Sequence, residues 1–139
     1  MRIMVSACLL GENCKYNGGN NYSERVTRFT AGHEVIPVCP EVLGGLPVPR
    51  APAEIVGGIV TTKAGVSVDV QFRLGAQKAL ALAKENGVDM VILQPRSPSC
   101  GARQIYDGSF SGVRIDGQGV FARLLIENGI RAIDADDLK

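Results

Sequence analysis

The feature that most constrains the fold is a series of short apolar segments separated by longer amphipathic ones. The apolar segments fall at residues 2–7, 34–38, 90–93 and 130–134. Each is too short for a core helix and is typical of a strand buried on both faces. The clearest helical pattern lies between the second and third of these segments, at residues 70–86, where apolar side chains recur at helical spacing. Strands alternating with helices predict an α/β fold: an open, mostly parallel, Rossmann-like sheet with helices on both faces.

Local signals predict the remaining elements. Ser23 is expected to N-cap a helix that runs to about Ala31, and Asp69 to N-cap the helix at 70–86. Segments 55–62 and 66–70 alternate around a Lys63-Ala64-Gly65 turn, which predicts an inserted β-hairpin.

Proline marks one segment as different from the rest. Five of the seven prolines lie in residues 37–52, and this density predicts a rigid loop without regular structure. No linker-like segment interrupts the chain, so we expect a single domain over residues 1–139.

Composition and charge exclude several classes of protein. The hydrophobic content of 45% excludes a disordered chain, and the formal net charge of +1 argues against a protein that mainly binds nucleic acid or an anionic membrane. No apolar run approaches the roughly 18 residues of a membrane span, and the first residues do not resemble a secretion signal. We therefore expect a cytoplasmic protein.

Three of the four cysteines follow predicted parallel strands. Cys8, Cys39 and Cys100 come at or just after the ends of these strands, where such sheets bind ligands, so their sulfurs are expected to meet at one edge. Cys14 either joins them or points elsewhere. There is no C-x-x-C pair, which disfavours a zinc ribbon or a dithiol motif. The cysteines are then either ordinary core residues or ligands of zinc, copper(I) or an iron–sulfur cluster, and their spacing does not choose among these.

Several short segments, taken together, resemble one protein family. They are 6–11 (SACLLG), 14–18 (CKYNG), 37–47 (PVCPEVLGGLP), 49–50 (PR), 97–101 (SPSCG) and 105–108 (IYDG). The family is that of the thiouracil desulfidases and related thio-nucleobase or thiouridine desulfidases. The resemblance covers nearly the whole chain, which would make residues 1–139 a single desulfidase domain.

The resemblance implies a [4Fe-4S] cluster held by Cys8, Cys39 and Cys100, with one iron left without a protein ligand and Cys14 in a supporting role. It also implies a non-redox reaction in which water replaces the sulfur of a small thiolated pyrimidine such as 2-thiouracil, and sulfide leaves. Glu41 is the candidate for general acid and base catalysis, because Pro40 would hold it near the cluster. Ser97 is the candidate for a hydrogen bond to the substrate. Alternatively, Glu41 is an ordinary solvated carboxylate in a loop, and Ser97 is a serine that stabilises a turn.

Two other functions compete with this one. A sulfur-relay protein would carry a persulfide on Cys39 or Cys100 and would need an exposed thiolate of low pKa. A small zinc-stabilised module that binds RNA would need a basic face, which the dispersed charges do not indicate. Residues 117–122 also match a variant dinucleotide fingerprint, but we interpret their glycines as a tight turn.

Overall fold

A parallel sheet lies at the centre of the structure, a computed structural model that describes residues 1–138. The strands are β1 (Arg2–Ser6), β2 (Glu34–Val38), β3 (Ala53–Val56), β4 (Ile59–Thr62), β5 (Met90–Leu93), β6 (Gln104–Tyr106), β7 (Arg114–Asp116) and β8 (Ala132–Asp134). The helices are α1 (Glu24–Thr30), α2 (Pro40–Leu43), α3 (Asp69–Glu85) and α4 (Val120–Glu127), with 3₁₀ turns at Ala7–Leu10 and Ala135–Asp137. No helix within the described residues is long and apolar enough to cross a membrane.

The sheet has the strand order β2-β1-β5-β8, and all neighbouring strands in it are parallel. Its two central strands are buried, since all of β5 and every residue of β1 after Arg2 is buried. One face packs against α3 and α4, and the other packs against α1 and the C-terminal 3₁₀ turn. The predicted α/β fold is therefore confirmed, because continuous apolar strands need a layer of helices on each side.

The inserted hairpin exists, but the prediction of its turn is wrong. β3 pairs antiparallel with β4, and the turn between them consists of Gly57 and Gly58, with φ of 56° and 82°. Two central residues with positive φ give the turn whose twist matches paired strands, and glycine adopts this conformation without strain. Residues 63–65 form only a following turn, next to a single bridge between Thr61 and Ser67. A second antiparallel hairpin, β6 with β7, was not predicted.

The helix caps were predicted with mixed success. Ser23 caps α1 as expected, because its hydroxyl accepts the Val26 amide at 3.2 Å. Asp69 does not cap α3, and this prediction is wrong. It is the first residue of the helix, and its carboxylate accepts the Val60 amide at 3.0 Å and pairs with Arg73 at 2.6 Å. The Asp69 carboxylate therefore binds a backbone amide of β4 and does not cap the start of α3.

The prediction of an irregular segment at 37–52 is wrong in part, because it contains the short helix α2. Pro40 is the first residue of α2, a position where proline is tolerated since its missing amide has no helical partner. The backbones of α2 and α3 touch at Gly44 and Gly75. A Cβ added to Gly75 would lie 2.8 Å from the carbonyl carbon of Pro40, so only glycine fits. This contact fixes α2, and with it the residues at the end of β2.

Candidate active site

A cavity of about 530 Å³ opens beyond the carboxyl ends of β1, β2 and β5. The strand-end loops build its floor, as expected for a parallel open sheet. The side chains that carry chemistry in its lining are Cys8, Cys14, Cys39, Cys100, Glu41, Arg50 and Ser97.

The structure brings all four cysteines to this one cavity. Cys8 lies in the 3₁₀ turn that follows β1, Cys39 is the N-cap of α2 directly after β2, and Cys100 lies in the loop after β5. Cys14 reaches the cavity from the loop after the 3₁₀ turn, and its carbonyl oxygen lies 3.9 Å from the Cys39 sulfur. None of the four forms a disulfide.

The four thiols shift one another's pKa values through hydrogen bonds and charge. A hydrogen bond from Cys14, helped by Asn21, lowers the pKa of Cys8 against the effect of burial. A hydrogen bond from Cys39 lowers the pKa of Cys14, but its own hydrogen bond to Cys8 and its burial outweigh this and raise the pKa to about 11. Hydrogen bonding to Cys14, burial and the nearby Glu41 carboxylate raise the pKa of Cys39. Burial, followed by Glu41, raises the pKa of Cys100 to about 12.

This donor set fits an iron–sulfur cluster. Thiolates that are costly to form in a buried, acidic environment are stabilised when a soft metal centre replaces their protons. Within residues 1–138, no three His, Cys, Asp or Glu side chains are grouped so as to hold a single metal ion. A polynuclear cluster takes its thiolates on different irons, which suits thiols that separate loops bring to one cavity.

Glu41 lies between the sulfurs and two orienting side chains. It is in the first turn of α2, and its side chain is only 12% exposed. Its Oε1 accepts a hydrogen bond from Ser99 Oγ at 2.7 Å, and its Oε2 lies 3.6 Å from the Cys39 sulfur and 3.8 Å from an Arg50 nitrogen. The carboxylate is therefore largely buried at the cavity wall and held by two side chains, unlike a solvated loop residue.

Ser97 organises the loop that carries Cys100. Its Oγ accepts the backbone amides of Ser99 at 3.2 Å and Cys100 at 3.1 Å, and lies 3.1 Å from Ser99 Oγ. The turn-stabilising interpretation thus describes its contacts within the protein, while the side chain also lines the cavity.

The same loop is anchored by α4. The carbonyl of Ser99 accepts the amides of Phe121 at 2.8 Å and Ala122 at 3.1 Å, so it satisfies helix N-terminal groups that otherwise lack a partner. Gly119 makes this approach possible, because an added Cβ would lie 2.5 Å from the Ser99 carbonyl carbon. Gly119 therefore serves close packing against the site loop, and Gly117 packs against the Ile105 side chain. Residues 117–119 form no turn, so the interpretation of these glycines as a tight turn is wrong.

Sequence reasoning did not predict that Ser99 and Arg50 hold the Glu41 carboxylate. Ser99 is fully buried, and its hydroxyl also lies 3.3 Å from the Cys100 sulfur. The Arg50 side chain is 10% exposed and donates to the Cys14 carbonyl at 3.0 Å, which ties the two cysteine loops together. The only sequence signal for either was its place in a segment of the family resemblance.

Comparisons with known proteins agree with this geometry. The model of the 2-thiouracil desulfurase family matches residues 3–137. The chain belongs to this family. The resemblance seen in the sequence segments is therefore confirmed.

Two known proteins are similar to this chain over nearly its whole length. The chain is 42% identical over 146 residues to the uncharacterized protein YbbK of Bacillus subtilis (strain 168), and the match covers 98% of this chain and 97% of that protein. Its fold is similar to the solved structure of the [4Fe-4S]-dependent thiouracil desulfidase TudS, with a TM-score of 0.92 and 41% identity. That match covers 99% of this chain and 92% of the solved one.

Proposed function

We propose that this protein is a [4Fe-4S]-dependent desulfidase that removes sulfur from a thiolated pyrimidine such as 2-thiouracil, giving uracil and hydrogen sulfide. The observation that carries the proposal is a constrained carboxylate, Glu41, in a cavity lined by the thiols of the three strand-end loops. Family membership and the likeness to TudS support the choice of substrate and cofactor.

We assign Cys8, Cys39 and Cys100 as the cluster ligands, and Cys14 a supporting role. The three ligands follow the ends of adjacent strands. Cys14 lies further along the loop after β1, and Arg50 donates a hydrogen bond to its carbonyl oxygen. Held by these three cysteines, the cluster would have one iron without a protein ligand and would supply a Lewis acid for the thiocarbonyl group.

Glu41 is the proposed proton-transfer group. Hydrolysis of C=S by one water gives C=O and H₂S with no net electrons, so protons must leave the water and reach the sulfur or the ring nitrogen. The Glu41 carboxylate can accept a proton from water and release it again, and Ser99 and Arg50 hold it in place. The Ser97 hydroxyl accepts two amides, and its own proton points either at Ser99 or, as we propose, at the substrate carbonyl.

The thiol environment argues against the persulfide alternative. That mechanism needs an exposed thiolate of low pKa at Cys39 or Cys100, but the pKa of each is raised and Cys100 is buried. Four free cysteines suit a reducing compartment, and we propose a cytoplasmic location and a small-molecule substrate.

The decisive experiment follows turnover without a reductant. Protein purified without oxygen should contain about four iron and four sulfide per chain. In water labelled with heavy oxygen and without any thiol, it should convert 2-thiouracil to labelled uracil over many turnovers. A single-turnover burst that needs dithiothreitol to continue would contradict the proposal, because a persulfide carrier retains the sulfur until it is reduced.

A further inference from the structure

The catalytic cavity has a second wall, built by the loop at residues 107–113 that joins β6 to β7. Phe110 and Gly112 of this loop, together with Tyr106 of β6, line the same cavity as the cysteines and Glu41. The proton-transfer chemistry described above uses none of these residues, so their role is a separate question.

Phe110 is held in an unfavourable backbone conformation. Its φ of 57° is in the left-handed region, which a bulky side chain rarely adopts outside turns. Such strain persists only where surrounding contacts impose it, and it clusters at ligand sites. The conformation therefore indicates that the position of this ring matters.

Glu54 on β3 imposes the conformation. One oxygen of its carboxylate accepts the backbone amides of Gly108 at 3.0 Å and Phe110 at 3.2 Å. Gly108 lies against the same strand, since an added Cβ would be 2.6 Å from the carbonyl oxygen of Ile55. Asp107 closes the loop on its other side by accepting the Ser109 amide at 2.9 Å. The hairpin β3–β4 thus fixes the loop over the cavity.

The other aromatic rings of the lining have different environments. Phe72 is 3% exposed and belongs to the buried core. Tyr16 is 45% exposed, and the backbone of Tyr106 is paired with Arg114 in a regular hairpin. Phe110 alone combines a half-buried ring with a strained, side-chain-anchored backbone.

We propose that Phe110 is the surface on which the pyrimidine ring of the substrate stacks, and that Glu54 is the residue that positions it. This inference rests on the proposed function, because it names the part of the cavity that holds the ring while the thiocarbonyl reacts elsewhere. Stacking on an aromatic side chain suits any nucleobase, since each presents a π face. Phe110 then contributes to binding of the ring, and the C=S chemistry depends on other residues.

The test separates ring binding from chemistry. Holoenzyme with Phe110→Leu keeps an apolar side chain but loses the π face, so the KM for 2-thiouracil should rise about 10-fold while kcat changes little. The inhibition constant of uracil, which has the ring but no thiocarbonyl, should rise by the same factor. Phe110→Tyr should restore both values. Val113→Ala, at an exposed residue of the same connection outside the cavity, serves as the matched control.

Glu54 provides a readout that does not depend on turnover. Glu54→Ala should raise the KM in parallel with Phe110→Leu and speed hydrogen exchange at the amides of Gly108 and Phe110, which lose their acceptor. Glu54→Gln retains a carbonyl oxygen and should largely restore slow exchange and the low KM.

The outcomes distinguish this inference from the proposed function. A wild-type holoenzyme that leaves 2-thiouracil unchanged would refute the proposed function itself. An active wild type whose Phe110→Leu variant keeps the original KM and uracil inhibition would refute stacking on Phe110. A fall in kcat alone, with uracil inhibition unchanged, would likewise contradict it.

Discussion

Replacing Ser99 with alanine tests how the proposed catalytic carboxylate is held. Ser99 is fully buried, and its hydroxyl donates to Glu41 Oε1 at 2.7 Å across 58 positions of sequence. A hydrogen bond to a charged group contributes about 1.5–3 kcal/mol. The remaining neighbours of the carboxylate, the Cys39 sulfur at 3.6 Å and Arg50 at 3.8 Å, both lie at Oε2. Among the described residues, Ser99 is the one whose side chain donates a hydrogen bond to Oε1.

If that energy serves to orient Glu41, Ser99→Ala should lower kcat by about 10- to 150-fold, since about 1.4 kcal/mol corresponds to a factor of ten. The assay is turnover of 2-thiouracil per cluster, normalised to the iron content of each preparation. Ser67→Ala is the matched control, because Ser67 is exposed and lies outside the cavity.

A double-mutant cycle decides whether Ser99 acts through Glu41. In a Glu41→Gln background, Ser99→Ala should cost little further activity, because the group that it positions no longer transfers protons. Full activity of the single variant at equal iron content, or losses that simply multiply in the double variant, would refute the reasoning.

Three further predictions concern the ligands, the proton-transfer group and the helix contact. Cys14→Ala should keep most of the iron, whereas alanine at any proposed ligand should abolish the brown colour; equal iron loss in both cases would refute the assignment of Cys8, Cys39 and Cys100. Glu41→Gln should retain the visible spectrum but slow turnover by ~10²–10⁴-fold, and a colourless variant would make its role structural. Gly75→Ala should lower the free energy of unfolding by about 1–3 kcal/mol in a urea titration. The added methyl group collides with the Pro40 carbonyl; unchanged or increased stability, as helix propensity alone would give, would contradict that contact.

The fold could be predicted because its main signals are local. The buried strands β1 and β5 are continuous apolar runs, and the α3 stripe repeats at helical spacing within one segment. The error at the start of α3 arose because a partner outside the helix decided the outcome. Val60 on β4 takes the carboxylate of Asp69 from its predicted capping role.

The sequence by itself predicted that Cys8, Cys39 and Cys100 lie at the same edge of the sheet, because the carboxyl ends of parallel strands share one edge. Only the tertiary structure decided which side chains contact Glu41, since Ser99 approaches it from a loop whose position α4 and Gly119 fix. It likewise decided that Glu54 holds Phe110 at the cavity, across 56 positions of chain. The physical reason is the range of the interactions. Hydrophobic periodicity is a property of neighbouring residues, whereas a hydrogen bond of about 3 Å requires that two separate loops are placed accurately in the folded protein.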